Sequence, residues 1–286
     1  MYSSSGWRHR LRPSGVESCS VRTLLGAPVS DDREFLLPPW SIRWLVSCAS
    51  TSDVLKAAVR AGESAGLVIA TTHQTAGRGR RGHAWITAPG EGLALSALWQ
   101  GPMSAATLGW VGLATGVAMA QALESVGING VQLKWPNDLM HDGAKLGGIL
   151  IETVAHAAPP GRVALAIGIG INRAGGARLS AHLGRAVTDL AAGGALDVPP
   201  ERLVDEALAA LGYWLPVLES GDVDRLREAW SARDGLSGRQ ISVADADRRV
   251  DGLACGIAAD GGLQVRTPRG LQVLHAGEVS IGALAP

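Results

Sequence analysis

Residues 77–82 have the sequence GRGRRG, and they lie between two apolar runs, Leu67 to Ala70 and Leu93 to Trp99, that predict buried strands. A segment of three glycines and three arginines disfavours both helix and strand, and glycine lets a backbone approach a ligand closely. The forked arginine guanidinium matches the oxygen atoms of a phosphate or carboxylate. An RNA-binding Arg-Gly segment or a solvated surface loop would have a similar composition. The position between strands favours a mobile loop that folds over an anionic ligand, and we call residues 77–85 the lid segment.

A second stretch, residues 134–138, has the sequence KWPND. The run from Val131 predicts a strand that ends at Lys134, and Pro136 then forces a turn. A lysine and the carboxylate of Asp138, placed at a strand end, can bracket a phosphate and its Mg²⁺. Taken alone, these residues favour an ordinary Pro-Asn-Asp turn over a ligand site.

Two further strands are unusually rich in glycine. Residues 145–150 have the sequence KLGGIL, and Gly-Gly inside a strand marks either close approach of a ligand or a bulge. Gly168 and Gly170 fall on one face of the next predicted strand, where they leave room for a flat ring or for tight core packing. Asn172 ends that strand with an amide that can bind an adenine edge or a phosphate.

The remaining pattern predicts an α/β domain followed by a small β domain. Residues 50–53, Ser-Thr-Ser-Asp, supply N-cap chemistry for a first helix. Longer helices are expected over residues 105–126, 201–218 and 222–232, and Asp142-Gly143 predicts a hairpin turn. After Ser237, short apolar runs separated by glycine turns predict a β-barrel of about 50 residues. We therefore predict a partly disordered leader at 1–38, a catalytic domain at 39–235 and the barrel at 236–286.

Composition narrows the function classes. The 286 residues carry 26 Lys+Arg and 26 Asp+Glu, and a zero net charge supplies no general field for nucleic acid. Cys19, Cys48 and Cys255 lack metal or disulfide spacing, which favours the cytoplasm. No apolar run approaches the ~18 residues of a membrane span. Residues 1–38 are too short and too aperiodic to predict a winged-helix DNA-binding domain.

In their order along the chain, the four motifs and Trp85 resemble the biotin protein ligase family, with a match from about Ser50 to Glu278. The resemblance implies a mixed-sheet α/β catalytic domain related to class II tRNA synthetases, followed by a Src-homology-like β-barrel. It also implies an enzyme that converts biotin and ATP, with Mg²⁺, into biotinyl-5'-AMP. Biotin would then pass to a lysine of a biotin carboxyl carrier protein. We expect the monofunctional type, without a DNA-binding domain, as a monomer or weak dimer.

The same resemblance implies roles for individual residues. Those expected to carry catalysis are Lys145, Arg80 and Lys134. Those expected to bind biotin are Ser50, Thr51, Gln74, Gly77, Arg78, Arg80, Trp85, Lys145 and Gly148. Those expected to bind ATP are Arg78, Arg80, Lys134, Asn137, Asp138, Lys145, Asn172 and, in the barrel, Arg239. Asp138 is also the candidate Mg²⁺ ligand.

Two departures and three rival functions remain open. Ser52 stands where the family usually has asparagine, and His83 stands where its lid usually has arginine. A lipoate or octanoyl transferase of related fold is the nearest rival, although the arginine-rich lid and the barrel disfavour it. A biotin-responsive transcriptional repressor would need a DNA-binding domain. An RNA-binding protein is disfavoured by the zero net charge.

Overall fold

The computed structural model describes residues 40–102, 104–155, 157–245 and 248–282, so the predictions for residues 1–38 lie outside it. The described residues form the helices α1 (Thr51–Arg60), α2 (Ala105–Ser125), α3 (Gly176–Leu183), α4 (Pro200–Glu219) and α5 (Val223–Ser231). Their strands are β1 (Ser41–Leu45), β2 (Leu67–Thr71), β3 (Gly77–Arg78), β4 (Ala84–Trp85), β5 (Gly92–Pro102), β6 (Gln132–Lys134), β7 (Asp138–His141), β8 (Ala144–Thr153), β9 (Arg162–Asn172), β10 (Gln240–Asp245), β11 (Arg248–Ile257), β12 (Leu263–Thr267), β13 (Gly270–Leu274) and β14 (Glu278–Ile281).

A seven-stranded mixed sheet forms the centre of the catalytic region, in the order β1-β2-β5-β9-β8-β7-β6. Strands β1 and β2 are parallel, and the other neighbours are antiparallel. The predicted hairpin between β7 and β8 is present, since His141 pairs with Ala144 and both Asp142 and Gly143 have positive φ. A second, five-stranded antiparallel sheet, in the order β13-β12-β11-β10-β14, follows α5. The predicted fold class is confirmed.

The two faces of the central sheet differ in side-chain size, as β9 shows. Its large residues, such as Ile167 and Ile169, pack in the main core with α2 and α4. On the opposite face, Ala164 and Ala166 pack against Leu55 of α1. Farther along that face, the residues are Gly168 and Gly170, which have no side chain. This alternation leaves an open groove on the face that carries α1.

One predicted segment was wrong, and one helix was not predicted. Residues 77–82 were predicted to be a loop. Instead, Gly77 and Arg78 pair with Trp85 and Ala84 in a short hairpin. Helix α3 was not predicted, because Gly175 and Gly176 at its start indicate a loop. The helix begins there because the distant Asp189 carboxylate accepts the Gly176 N–H at 2.6 Å, a cap that local sequence does not reveal.

The C-terminal sheet is joined to the catalytic region at the turn between β11 and β12. The indole of Trp110 donates to the Ala259 carbonyl at 2.8 Å, and the indole of Trp135 donates to the Gly261 carbonyl at 3.1 Å. A Cβ added at Gly261 would lie 2.7 Å from the Gly109 carbonyl oxygen. The turn therefore sits directly on the backbone of α2.

We expect Gly109→Ala to destabilise this junction, since its Cβ would overlap the Asp260 carbonyl oxygen. The overlap is with backbone, so a cost of about 1–3 kcal/mol in the free energy of unfolding is expected. The matched control is Gly112→Ala in the same helix, where the nearest atom to the new Cβ is 3.8 Å away. Control stability should be unchanged or up to about 1 kcal/mol higher. Equal denaturant midpoints for the two variants would contradict the tight junction.

Candidate active site

The groove on the glycine-rich face is a cavity of about 710 Å³. This volume is within the usual range for small-molecule sites. Strand register organises its floor in two rows across the sheet. One row joins Ser96, Gly168 and Leu150, and the other runs through Ala94, Gly170, Gly148, Asp138 and Lys134. Because adjacent strands are ~4.8 Å apart, Lys134 lies two strand spacings, ~10 Å, from Gly148.

One end of the cavity is polar and buried. The Gln74 side-chain oxygen accepts the Thr51 N–H at 2.7 Å and the Thr51 hydroxyl at 3.1 Å. The Thr51 hydroxyl also lies 2.8 Å from that of Ser96. Ser50, Thr51, Gln74 and Ser96 are all less than a tenth exposed. Such fixed polar groups at the closed end of a cavity suit a ligand with several hydrogen-bonding atoms.

The middle of the cavity is formed by Trp85 of the lid segment. A Cβ at Gly170 would lie 2.6 Å from the Trp85 ring, and one at Gly148 would lie 3.4 Å from it. The room predicted over Gly170 is thus filled by the chain's own indole, whereas Gly168 remains on the open floor. The Lys145 ammonium lies 6.0 Å from the centre of the Trp85 ring. The indole and the lysine together form one wall.

The other end of the cavity is cationic. Lys145 forms a half-buried ion pair with Asp138. The Arg80 guanidinium donates to the Asn137 side-chain oxygen at 3.1 Å, and the Asn137 amide donates to the Ile149 carbonyl at 3.1 Å. Asn137 therefore fixes Arg80 relative to strand β8, which carries Lys145.

The tip of the lid segment contacts the C-terminal sheet. Arg81 forms an ion pair with Asp245 on β10, and His83 lies 3.2 Å from Glu278 on β14. His83 is thus engaged at the rim of the cavity, where both it and Glu278 line the opening. At the other side of the lid, Arg78 pairs with Asp53 and Glu152.

Charge balance favours an anionic ligand. Positive side chains lining the cavity are Arg78, Arg80, Lys134, Lys145 and Arg185, while the carboxylates are Asp138 and Glu278. Burial lowers the pKa of Lys134; Asp138 partly offsets that effect, and the charges of Lys145 and Arg185 lower the pKa further. A ligand with negative charge relieves this repulsion.

Most of the predicted site residues come together here. Those lining the cavity are Ser50, Thr51, Gln74, Arg78, Arg80, Trp85, Lys134, Asn137, Asp138, Lys145 and Gly148. Gly77 lies behind them, where a Cβ would lie 2.6 Å from the Trp85 carbonyl. Asn172 is also outside the lining, and its amide donates to the carbonyls of Lys145 at 3.3 Å and Thr188 at 3.1 Å. Arg239 is exposed and is not part of the lining.

Several contributing residues were missed by the sequence analysis. Ser96 was missed because the apolar residues around it in β5 indicate an ordinary core strand, although it is the one hydroxyl residue of that strand. Glu278 and Arg185 lie far along the chain in segments without a motif, and only the fold brings them to the cavity. Ser52, noted as a departure, donates to Glu152. No local signal in the sequence indicates that pair.

Comparison with known proteins identifies the family. The Biotin/lipoate A/B protein ligase family matches residues 46–172, and the biotin protein ligase C-terminal domain matches residues 236–282. The biotin–[acetyl-CoA-carboxylase] ligase of Paracoccus denitrificans is 32% identical over 82% of this chain and 97% of its own length. The chain belongs to the biotin protein ligase family.

Other relatives agree with this membership. The bifunctional ligase/repressor BirA of Escherichia coli (strain K12) is 30% identical over 73% of this chain, and the match covers 64% of BirA. The structure of the biotin protein ligase from Aquifex aeolicus in complex with biotin and ATP has the same fold, with a TM-score of 0.69 and 22% identity over 85% of this chain and 98% of that one. The first family model also covers lipoate ligases, so the C-terminal domain and the Paracoccus relative decide against the lipoate alternative.

The described residues contain neither a membrane-spanning helix nor a cluster of metal-ligating side chains. Within them, no helix has the length and apolar character needed to cross a membrane. The same residues contain no cluster of three or more His, Cys, Asp or Glu side chains suited to a metal ion.

Glu152 of β8 bonds to Ser52 and Lys56 of α1, and its carboxyl makes the stability of the fold depend on pH. Burial raises the pKa of the Glu152 carboxyl, but hydrogen bonds from Lys56 and Ser52, with the charges of Lys56 and Arg78, outweigh burial and lower the pKa below its ordinary value of about 4.5. A lowered pKa in the folded state stabilises the fold above the pKa of the unfolded chain. That stabilisation is lost as the pH falls through the folded-state pKa.

We expect Glu152→Gln to unfold more easily than wild type at pH 7, by about 1–2 kcal/mol, since Lys56 and Arg78 lose their shared partner. The difference should begin to shrink as the pH falls below about 4.5, where the carboxyl of the unfolded chain becomes neutral, and it should vanish once the pH passes the lower pKa of the folded carboxyl. Urea unfolding at several pH values measures both. The control is Glu63→Gln, whose ion pair with Arg43 is exposed and should matter little. A difference that does not change with pH would refute the assignment.

Proposed function

We propose that this chain is an ATP-dependent biotin–protein ligase that forms biotinyl-5'-AMP and transfers biotin to a lysine of a biotin carboxyl carrier protein. The observation that carries the proposal is the match to the Paracoccus ligase across 97% of that enzyme. The cavity supports it, since a buried polar end, an aromatic wall and a cationic end occur in the order that a ring-containing acid joined to a nucleotide requires.

The two substrates divide the cavity between them. The ureido ring of biotin fits the polar end, with hydrogen bonds to Thr51, Gln74 and Ser50. Its apolar rings and chain lie beside Trp85, over the open floor at Gly168. The biotin carboxylate then reaches Lys145 and Arg80, and ATP occupies the region toward Lys134 and Asn137. Asn172 and Arg239 do not line the cavity, so their contacts to ATP stay predictions.

In the first step, a biotin carboxylate oxygen attacks the α-phosphorus of ATP, and the bond from that phosphorus to the bridging oxygen breaks to release pyrophosphate. Both reactants are anions, so the main requirement is charge neutralisation and alignment. Lys145 lies beside Trp85 and Gly148, at the point where the two anions would meet. Arg80, fixed by Asn137, supplies the second positive charge.

In the second step, the uncharged amine of the carrier lysine attacks the acyl carbon of biotinyl-5'-AMP. The amide bond forms, AMP leaves with the electron pair of the mixed anhydride bond, and the amine loses a proton to solvent. No covalent bond to the enzyme is needed. Trp85 and the lid arginines shield the anhydride from water until the carrier arrives.

Magnesium would enter with ATP. Mg²⁺ usually takes one or two protein carboxylates and fills its other positions with phosphate oxygens and water. Asp138 lines the cavity at the cationic end and is the residue that would hold it, since an ion of this kind needs as few as one protein carboxylate. When bound, the ion would neutralise phosphate charge.

Transfer of radiolabelled biotin to a purified biotin carboxyl carrier domain, with and without ATP, tests the function. We expect label on the carrier only with ATP, and none when lipoate replaces biotin. Transfer of lipoate in preference to biotin would overturn the proposal. A cytoplasmic location and a monomeric or weakly dimeric state stay predictions.

Lys145→Ala should reduce adenylate formation by about 10²–10³-fold, the size expected when one charge-stabilising donor is lost. Biotin-dependent exchange of labelled pyrophosphate into ATP measures this step. Asp138 loses its partner in this variant, so Lys145→Gln, whose neutral amide can still donate a hydrogen bond to Asp138, is the second variant and should show a similar loss. Wild-type exchange in either variant would contradict the role of Lys145.

Arg80→Gly should release biotinyl-5'-AMP about tenfold faster or more, because a charge-assisted hydrogen bond and the ordered lid are lost together. Released adenylate would biotinylate bystander proteins. Arg80→Gln removes the charge without adding glycine, and it should release adenylate at an intermediate rate. Stopped-flow dissociation measures the rates, and an unchanged rate in Arg80→Gly would remove Arg80 from the adenylate site.

A further inference from the structure

The segment after α3 is anchored directly beside Lys145. The Lys145 N–H donates to the Ala186 carbonyl at 3.0 Å, and the Thr188 N–H donates to the Lys145 carbonyl at 2.9 Å. These two bonds form an isolated parallel bridge between Lys145 and Val187. The buried Asn172 amide donates to the carbonyls of both Lys145 and Thr188, which holds the bridge from behind.

Helix α3 fixes the same segment from its other side. The Ser180 hydroxyl donates to the Val187 carbonyl at 2.9 Å and accepts the Val187 N–H at 2.8 Å. Asp189 accepts N–H groups at the start of α3 and at Ala192. Hydrogen bonds thus fix the backbone from Ala186 onward, directly after Arg185.

The Arg185 side chain lines the cavity. That side chain forms no hydrogen bond or ion pair with any residue in the described part of the chain. Lys134, which also lines the cavity, likewise lacks such a partner among the described residues. The charge of Arg185 contributes to the lowered pKa of Lys134, after the larger effect of burial, so the two cations are close enough to repel each other.

We propose that Arg185, together with Lys134, binds the β- and γ-phosphates of ATP and so holds the pyrophosphate leaving group. The inference rests on the proposed function. Two strand spacings, ~10 Å, separate Lys134 from the Gly148 floor where the acid would end, so Lys134 lies beyond the α-phosphate. Arg185 lines the same cavity, and its charge acts on Lys134. A forked guanidinium on an anchored backbone suits paired phosphate oxygens.

Arg185→Gln tests the assignment. We expect its KM for ATP in biotin-dependent pyrophosphate exchange to rise about tenfold or more, the size of a lost charge-assisted hydrogen bond. The affinity for inorganic pyrophosphate, measured by calorimetry, should fall by a similar factor. Affinities for biotin and for biotinyl-5'-AMP should not change, because neither carries the β- and γ-phosphates. Arg185→Lys should recover part of the ATP affinity.

Arg178→Gln is the matched control, since Arg178 lies on α3, pairs with Glu91 and does not line the cavity. It should behave as wild type. An unchanged KM for ATP in Arg185→Gln would overturn the inference, as would an equal loss of affinity for biotinyl-5'-AMP, which would place Arg185 at the α-phosphate or the base. Failure of the proposed function looks different, because wild-type protein would then give no biotin-dependent exchange at all.

Discussion

The site depends on the absence of side chains at three adjoining positions on one face of the central sheet. Gly148, Gly168 and Gly170 leave the sheet backbone without side chains. Farther along the same face of β9, Ala164 and Ala166 pack against α1. Protein interiors are close-packed, so such a gap persists only where something else fills it. The Trp85 indole fills part of it, and a ligand can fill the rest. The groove and the packing of the lid segment on the sheet follow from that arrangement.

Two of the charged residues, Arg80 and Lys145, are positioned by amide side chains that do not need to contact a substrate. Asn137 joins Arg80 to strand β8, and Asn172 joins β9 to the backbone of Lys145. Each amide satisfies backbone carbonyl groups in the interior, which removes the cost of burying them. As a result, positive side chains that would repel one another are held at fixed points around one space. The site is therefore electrostatically prepared before an anion arrives.

Much of this could be predicted from the sequence, and the failures have identifiable causes. The motifs indicated strand ends and glycine-rich strands because those signals are local, and antiparallel register then brought Lys134, Asp138 and Gly148 into one row. Helix α3 was missed because its cap, Asp189, is 13 residues beyond Gly176. The other omissions were residues whose role arises from distant pairing and is not visible in a local pattern.

The lid tip and the β11–β12 turn tie the C-terminal sheet to the catalytic region at two separate places. Arg81 and His83 meet β10 and β14, while Trp110 and Trp135 hold the turn. A ligand that stabilises the lid segment over the cavity therefore also stabilises the docked C-terminal sheet. By linkage, the docked sheet favours that position of the lid segment to the same extent. The last fifty residues, which contribute few groups to the cavity lining, thus belong to the thermodynamics of binding as well as to the fold.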